Sequence, residues 1–161
     1  MGRSRTLSQI QFIAIHHTAD HASVDQLLHE RARRGEGYNF IIRDDEMPNN
    51  RKYQAVQDAP DTEVSNGTYG ANLQSWNVSV VGNFEIEKPT DDEVHALVQV
   101  IAAKAKAWGW KKRHVSQITY HQYIGKFLAP AGYRYGTACP GKHMIARIPE
   151  IRQRVATYLP A

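Results

Sequence analysis

The chain has one cysteine, Cys139, among its 161 residues. A single thiol makes no intramolecular disulfide, so Cys139 has another role or none. Long apolar runs are also missing, and no stretch approaches the ~20 residues that span a bilayer. No internal repeat, low-complexity tract or linker is visible. The N-terminal run Met1-Gly2-Arg3-Ser4-Arg5-Thr6 is basic but lacks the apolar core of a signal peptide. It fits a myristoylation pattern in form only, because stable anchoring needs a second signal. The expectation is synthesis in the cytoplasm with no stable membrane association. Aromatic residues do not interleave with the basic clusters Arg31 to Arg34, Lys111 to Arg113 and Arg147 to Arg154. That argues against a nucleic-acid partner.

What is present describes one soluble globular domain, 1–161. Hydrophobic residues make up 42% and charged residues 22%, enough for a sizeable core under a polar surface. The net charge of +4 favours anionic partners, among them the polymers of a bacterial wall.

Phe12 to Ile15 is short and apolar and reads as a buried strand ending in His16-His17. Ser23 to Gln26 fits a helix start, Val24, Leu27 and Leu28 mark an apolar stripe, and Gly35 supplies the stop. Tyr38 to Ile42 reads as a second strand. Asp44-Asp45-Glu46 is a turn, and Lys52 to Val56 is its hairpin partner. Residues 57–74, rich in Gly, Asn, Asp, Ser and Thr, read as a long surface loop. Trp76 to Gly82 is the next strand. Thr90 and Glu93 form a capping box for a helix carrying Val94, Leu97, Val98, Ile101, Ala105 and Trp108, which Gly109 ends. Gln117 to His121 reads as the last strand. The chain is helical from Pro140, and Pro149 either kinks that helix or starts a new one. Strands alternating with helices predict an α/β domain, with a mixed central sheet of about five strands surrounded by helices.

The chemistry concentrates at element ends. A thiolate and two imidazoles make a three-ligand zinc site whose fourth position holds a water, the arrangement of catalytic zinc. Cys139 precedes a helix, His121 ends a strand, and His16-His17 ends another. Adjacent strand residues point to opposite faces, so only one of His16 and His17 enters a given site, and periodicity does not say which. His143 is a rival ligand, four residues after Cys139. Cys139 also reads as a nucleophile activated by a helix N-terminus and a histidine.

The ordered pieces "IAIHHTA" (13–19), "GYNFIIRDD" (37–45), "SVVGNF" (79–84) and "TACPG" (137–141), with His121 between the last two, resemble the type-2 N-acetylmuramoyl-L-alanine amidases. That family includes amidase-type phage lysozymes and animal peptidoglycan-recognition proteins. The resemblance implies a zinc enzyme cutting the amide between the lactyl group of N-acetylmuramic acid and L-alanine in bacterial peptidoglycan. It implies His16, His121 and Cys139 as ligands of Zn2+, and Tyr38 as the active-site tyrosine. Non-catalytic relatives usually replace the cysteine, and this chain keeps it. Thr137 stands where some members carry lysine, Ser79 where others carry glutamate, and Asn39 where some phage enzymes carry histidine. Thr137 is expected to orient substrate or water, or else to cap the following helix. Asn66, Thr68, Tyr69 and Ser79 are expected to line the substrate groove. The expected role is that of a phage or prophage endolysin. The alternatives are a cytosolic muropeptide-recycling amidase, a non-catalytic recognition module, and a cysteine peptidase using Cys139.

Overall fold

A computed structural model of the chain describes residues 3–21, 37–43 and 54–161. The expected helix from Ser23 to Gly35, the turn Asp44 to Glu46, and Lys52 and Tyr53 lie outside the described residues.

Five strands form one sheet: β1 (Phe12–His17), β2 (Phe40–Arg43), β3 (Gln54–Gln57), β4 (Ser75–Val80) and β5 (Ile118–Tyr120). Their order is β3-β2-β4-β1-β5. β1 runs parallel to β4 and β5, β2 runs parallel to β4, and only β3 pairs antiparallel. The sheet is therefore mixed, as expected, with β1 and β4 innermost.

The two faces of the sheet differ in chemistry. Ile13, Ile15, Trp76, Val78, Val80, Ile42 and Ile118 join one large apolar cluster. The intervening residues of the central strands are small or polar: Ala14 and His16 on β1, Ser75, Asn77 and Ser79 on β4, and Thr119 on β5. All six are buried. Strand alternation thus assigns one face to the core and the other to polar side chains.

Helix α1 (Asp91–Ala107) covers the apolar face with Val94, Leu97, Val98, Ile101 and Ala105. Its start is as the sequence predicts. The Thr90 side chain accepts the Glu93 amide at 3.1 Å, and Glu93 accepts the Thr90 amide at 2.8 Å. Such a cap stabilises a helix by about 1 kcal/mol. Gly109, at φ +75°, follows the helix in the left-handed conformation that glycine tolerates best. Lys104 near the end of α1 pairs with Asp61 at 2.9 Å, and Asp61 also accepts the Trp76 indole N–H at 2.8 Å.

The last strand is shorter than expected. β5 stops at Tyr120, and His121 opens a single helical turn, α2 (His121–Tyr123), that runs on as a π-helical stretch to Leu128. Two helices follow Pro140: α3 (Lys142–Ile145) and α4 (Ile148–Ala156). Pro149 sits in the first turn of α4, so it starts a helix and does not kink one. Ile151, Val155 and Leu159 pack into the core cluster.

After Gln57, the last residue of β3, residues 58–74 form no helix or strand of the sheet, but the expected 57–74 loop is not only a surface loop. Ala59, Val64, Ser65, Thr68 and Ala71 are buried. Asn39 and Arg5 bond several of the segment's carbonyls and the Ser65 hydroxyl, which helps an irregular segment to be buried.

Candidate metal centre

Three distant segments meet at the polar face of the sheet. β1 supplies His16, the turn after β5 supplies His121, and the segment before α3 supplies Cys139. One donor atom from each lies within 4.8 Å of the others, and they are the one such group among the described residues. The His16 and His121 rings are 4.7 Å apart by centroid. Cys139 Sγ is 3.7 Å from His16 Nδ1. A tetrahedral zinc with Zn–N of ~2.0–2.1 Å and Zn–S of ~2.3 Å separates such atoms by ~3.6 Å. The donor set and spacing fit zinc.

Strand alternation sends the two adjacent histidines to opposite faces, and His16 is the one that lies with His121 and Cys139. His16 faces the polar side. His17 turns the other way, and its Nδ1 accepts the Phe84 amide at 3.1 Å. His143 is not part of the donor group.

Burial controls the protonation of these groups. It is the main cause that lowers His16 to about 3, aided by the neighbouring His121. It likewise lowers His121 to about 4, aided by His17. Both imidazoles are therefore neutral near pH 7 and have a lone pair to give. Burial pushes the Cys139 thiol up to about 12, against a hydrogen bond from the His17 amide at 3.4 Å. A thiolate there needs a cation beside it, which a metal supplies and a helix of four residues does not.

The remaining expected site residues fall into distinct places. The half-buried Tyr38 has its ring 5.2 Å from that of His16, so it reaches the centre. The Thr137 hydroxyl oxygen accepts the Cys139 amide at 3.2 Å, a local cap just before the cysteine. Thr137 also lines an open cavity of about 480 Å³ with Gln122, Lys126, Arg134, Tyr135 and Gly136. Ser79 is buried in register with His16, and its hydroxyl has no hydrogen-bond partner among the described residues. Tyr69 is 62% exposed and stacks near Tyr133 and Tyr135 at 5.5 and 6.2 Å. Asn66 is exposed. Thr68 is wholly buried, with its amide 2.8 Å from Asn72 Oδ1, so it braces the loop and does not meet the groove.

Two residues at the centre escaped the sequence reading. The Tyr135 hydroxyl lies 2.7 Å from His121 Nε2. Burial and the nearby Cys139 hold its phenol above the ordinary value, so it keeps its proton. Asn77 Oδ1 lies 2.7 Å from His16 Nε2. Tyr135 sits four residues before the cysteine, a weak signal. Asn77 had a stronger one, since a central strand seldom carries a buried amide without a purpose.

Gly141, at φ +89°, closes this corner. A Cβ there would meet the backbone of Phe84 and Glu85, so the close approach requires glycine.

The N-acetylmuramoyl-L-alanine amidase family matches residues 6–142. No curated protein sequence matches the chain. Among solved structures, the N-acetylmuramoyl-L-alanine amidase LysC from Clostridium intestinale is 19% identical, with a TM-score of 0.70 over 96% of this chain and 92% of its own. The Ph2119 endolysin of a Thermus scotoductus bacteriophage is 19% identical, with a TM-score of 0.63 over 94% and 89%. Drosophila PGRP-LB is 17% identical, with a TM-score of 0.59 over 92% and 81%. At these identities the neighbours define a shared fold. The family match covers most of the sequence and includes all three donor residues, so the chain belongs to the type-2 N-acetylmuramoyl-L-alanine amidase family.

Proposed function

We propose that this chain is a zinc-dependent amidase that hydrolyses the bond between the lactyl group of N-acetylmuramic acid and L-alanine in bacterial peptidoglycan. The observation that carries the reading is the convergence of His16, His121 and Cys139 in a chain of this family. Zinc held by two neutral imidazoles and one thiolate supplies Lewis acidity and an acidified water.

The protein's own residues do the rest. His16 and His121 are kept neutral by burial. Tyr38, packed on the His16 ring, donates its hydroxyl to the oxyanion that develops on the lactyl carbonyl. Losing such a donor typically costs about a hundredfold or more in turnover. The buried Ser79 hydroxyl offers a polar contact on the floor of the site, in the place where other members carry glutamate. Lys126 and Arg134, lining the cavity beside Tyr135, attract the carboxylates of the stem peptide. The exposed Tyr69 and Tyr133 rings offer an apolar shelf to the glycan.

The biological role that fits is a phage or prophage endolysin. A net charge of +4 assists approach to an anionic wall. Likeness to the ectodomain complex of peptidoglycan recognition proteins LCa and LCx, solved with tracheal cytotoxin bound, favours one second reading, a module that binds peptidoglycan without cutting it.

The test is digestion of purified peptidoglycan before and after chelation, with zinc added back and products read by mass spectrometry. Free stem peptides beginning at L-alanine, lost on chelation and restored by zinc, are expected. Binding without cleavage would favour the recognition module. Cleavage within the peptide that ignores chelation would make Cys139 a nucleophile and refute the zinc reading. Loss of turbidity from intact sacculi separates a lytic enzyme from one that recycles soluble muropeptides.

A further inference from the structure

We infer that Asn39, Ser65 and Asn77 form a directional hydrogen-bond relay that fixes the tautomer of His16, with the proton on Nε2 and the lone pair of Nδ1 turned toward Cys139. The three are positioning residues. Their link to metal affinity rests on the zinc reading above, whereas the tautomer itself does not.

The direction of each bond follows from the one before it. Asn39 Nδ2 lies 3.0 Å from the carbonyl oxygen of Pro60 and 3.0 Å from that of Glu63. Carbonyl oxygens only accept, so this end of the amide is the NH2 group. The other end, Oδ1, accepts the Asn77 backbone N–H at 3.0 Å and the Ser65 hydroxyl at 3.0 Å. The Arg5 guanidinium reaches the same oxygen at 3.4 Å.

Ser65 has one hydroxyl proton, and it points at Asn39. The Ser65 oxygen is left to accept, which it does from Asn77 Nδ2 at 2.7 Å. That orients the Asn77 side chain, and its Oδ1 faces His16 Nε2 at 2.7 Å. An amide oxygen cannot donate, so Nε2 must carry the hydrogen. In a neutral imidazole the lone pair then sits on Nδ1, the nitrogen 3.7 Å from Cys139 Sγ.

Burial makes this direction binding. Asn39 and Asn77 are 0% exposed, His16 1% and Ser65 3%. A flipped amide would set two acceptors or two donors face to face with no solvent to relieve them. Gly67 preserves the arrangement. A Cβ at that position would come within 2.8 Å of Asn77 Cγ and displace the amide. The relay therefore runs from two carbonyls of the 57–74 segment, through the residue before β2 and across β4, to the histidine on β1.

The experiment is long-range proton–nitrogen correlation NMR of the metal-free full chain, joined to zinc titration against a chromophoric chelator. Wild type is expected to show His16 as a single Nε2–H tautomer. Asn77→Leu removes the acceptor and is expected to give a tautomer mixture and zinc binding ~10–100-fold weaker, as for lost outer partners of metal-bound histidines. Asn77→Asp keeps an acceptor opposite Nε2 and is expected to restore the tautomer. Ser65→Ala removes the close partner of Asn77 Nδ2 and leaves only the Ser75 carbonyl at 3.5 Å to orient the amide, so it tests the relay even if Asn77→Leu fails to fold. It too is expected to admit the Nδ1–H form. An Nδ1–H His16 in wild type, or an unchanged tautomer in Ser65→Ala and Asn77→Leu, would overturn the relay. A wild-type protein with the Nε2–H signature but no zinc affinity would refute the zinc reading and leave the relay standing.

Discussion

Acidifying the metal-free protein from about pH 7 to about pH 5 is expected to destabilise it by about 3 kcal/mol. In the unfolded chain a histidine titrates near its ordinary 6.5, so it takes up a proton across this interval. In the folded protein His16 waits until about 3 and His121 until about 4, chiefly because burial penalises the charged ring. Both folded values are depressed. The stabilisation is thus complete above the unfolded value of 6.5 and is lost as pH falls toward 4 and 3. Each fully buried histidine contributes about 2 kcal/mol between those conditions. His121 is partly open to solvent, so its share is smaller. The assay is urea unfolding in the presence of chelator at several pH values, with His16→Leu as the comparison. Wild type should lose stability steadily below about pH 6.5, and His16→Leu should lose clearly less. A wild-type change under about 0.5 kcal/mol would refute the argument that burial keeps these rings neutral.

Two further outcomes follow from the geometry. His16→Ala should abolish zinc binding, while His17→Ala should retain most of it and lose about 1–3 kcal/mol of stability through the orphaned Phe84 amide; zinc titration with urea unfolding checks both, and the reverse pattern would reassign the ligand. Arg5→Met should cost about 3 kcal/mol in urea unfolding, because the buried guanidinium donates to the carbonyls of Asp61, Leu73 and Ser75 at 2.9, 3.1 and 2.6 Å. A loss under about 1 kcal/mol would mean those carbonyls find other partners.

What the sequence made legible was local. The Thr90–Glu93 box and the stripe ending at Trp108 are set by neighbours within one or two turns, and α1 starts where they say. The apolar run ending at His16-His17 marks β1 because a buried strand needs little beyond its own side chains. What escaped was long-range. Choosing between His16 and His17 requires knowing which face of the sheet meets α1. Asn77 is 61 residues from the ring it orients, and Tyr135 is 14 from His121. The 57–74 segment misled by its composition. Ser65 and Thr68 look like surface residues, yet both are buried, Ser65 against Asn39 and Asn77 from outside the segment and Thr68 against Asn72 within it. Tyr38 and Thr137 came from the resemblance, and the fold brings both near the three donors.

The two-faced sheet has a consequence for how the molecule can change. On β4, Trp76, Val78 and Val80 anchor the core, while Ser75, Asn77 and Ser79 between them carry only short polar side chains. Stability and chemistry thus interleave along one strand without sharing a residue. Substitutions at the even positions of β4 are felt as unfolding. Those at the odd positions act first on the polar face that carries His16. Such a strand limits redesign at its polar positions to side chains of similar size that find a hydrogen-bond partner, because all three are fully buried. Within that limit the two faces of one strand can be varied separately, the apolar one read by unfolding and the polar one by the neighbouring histidine.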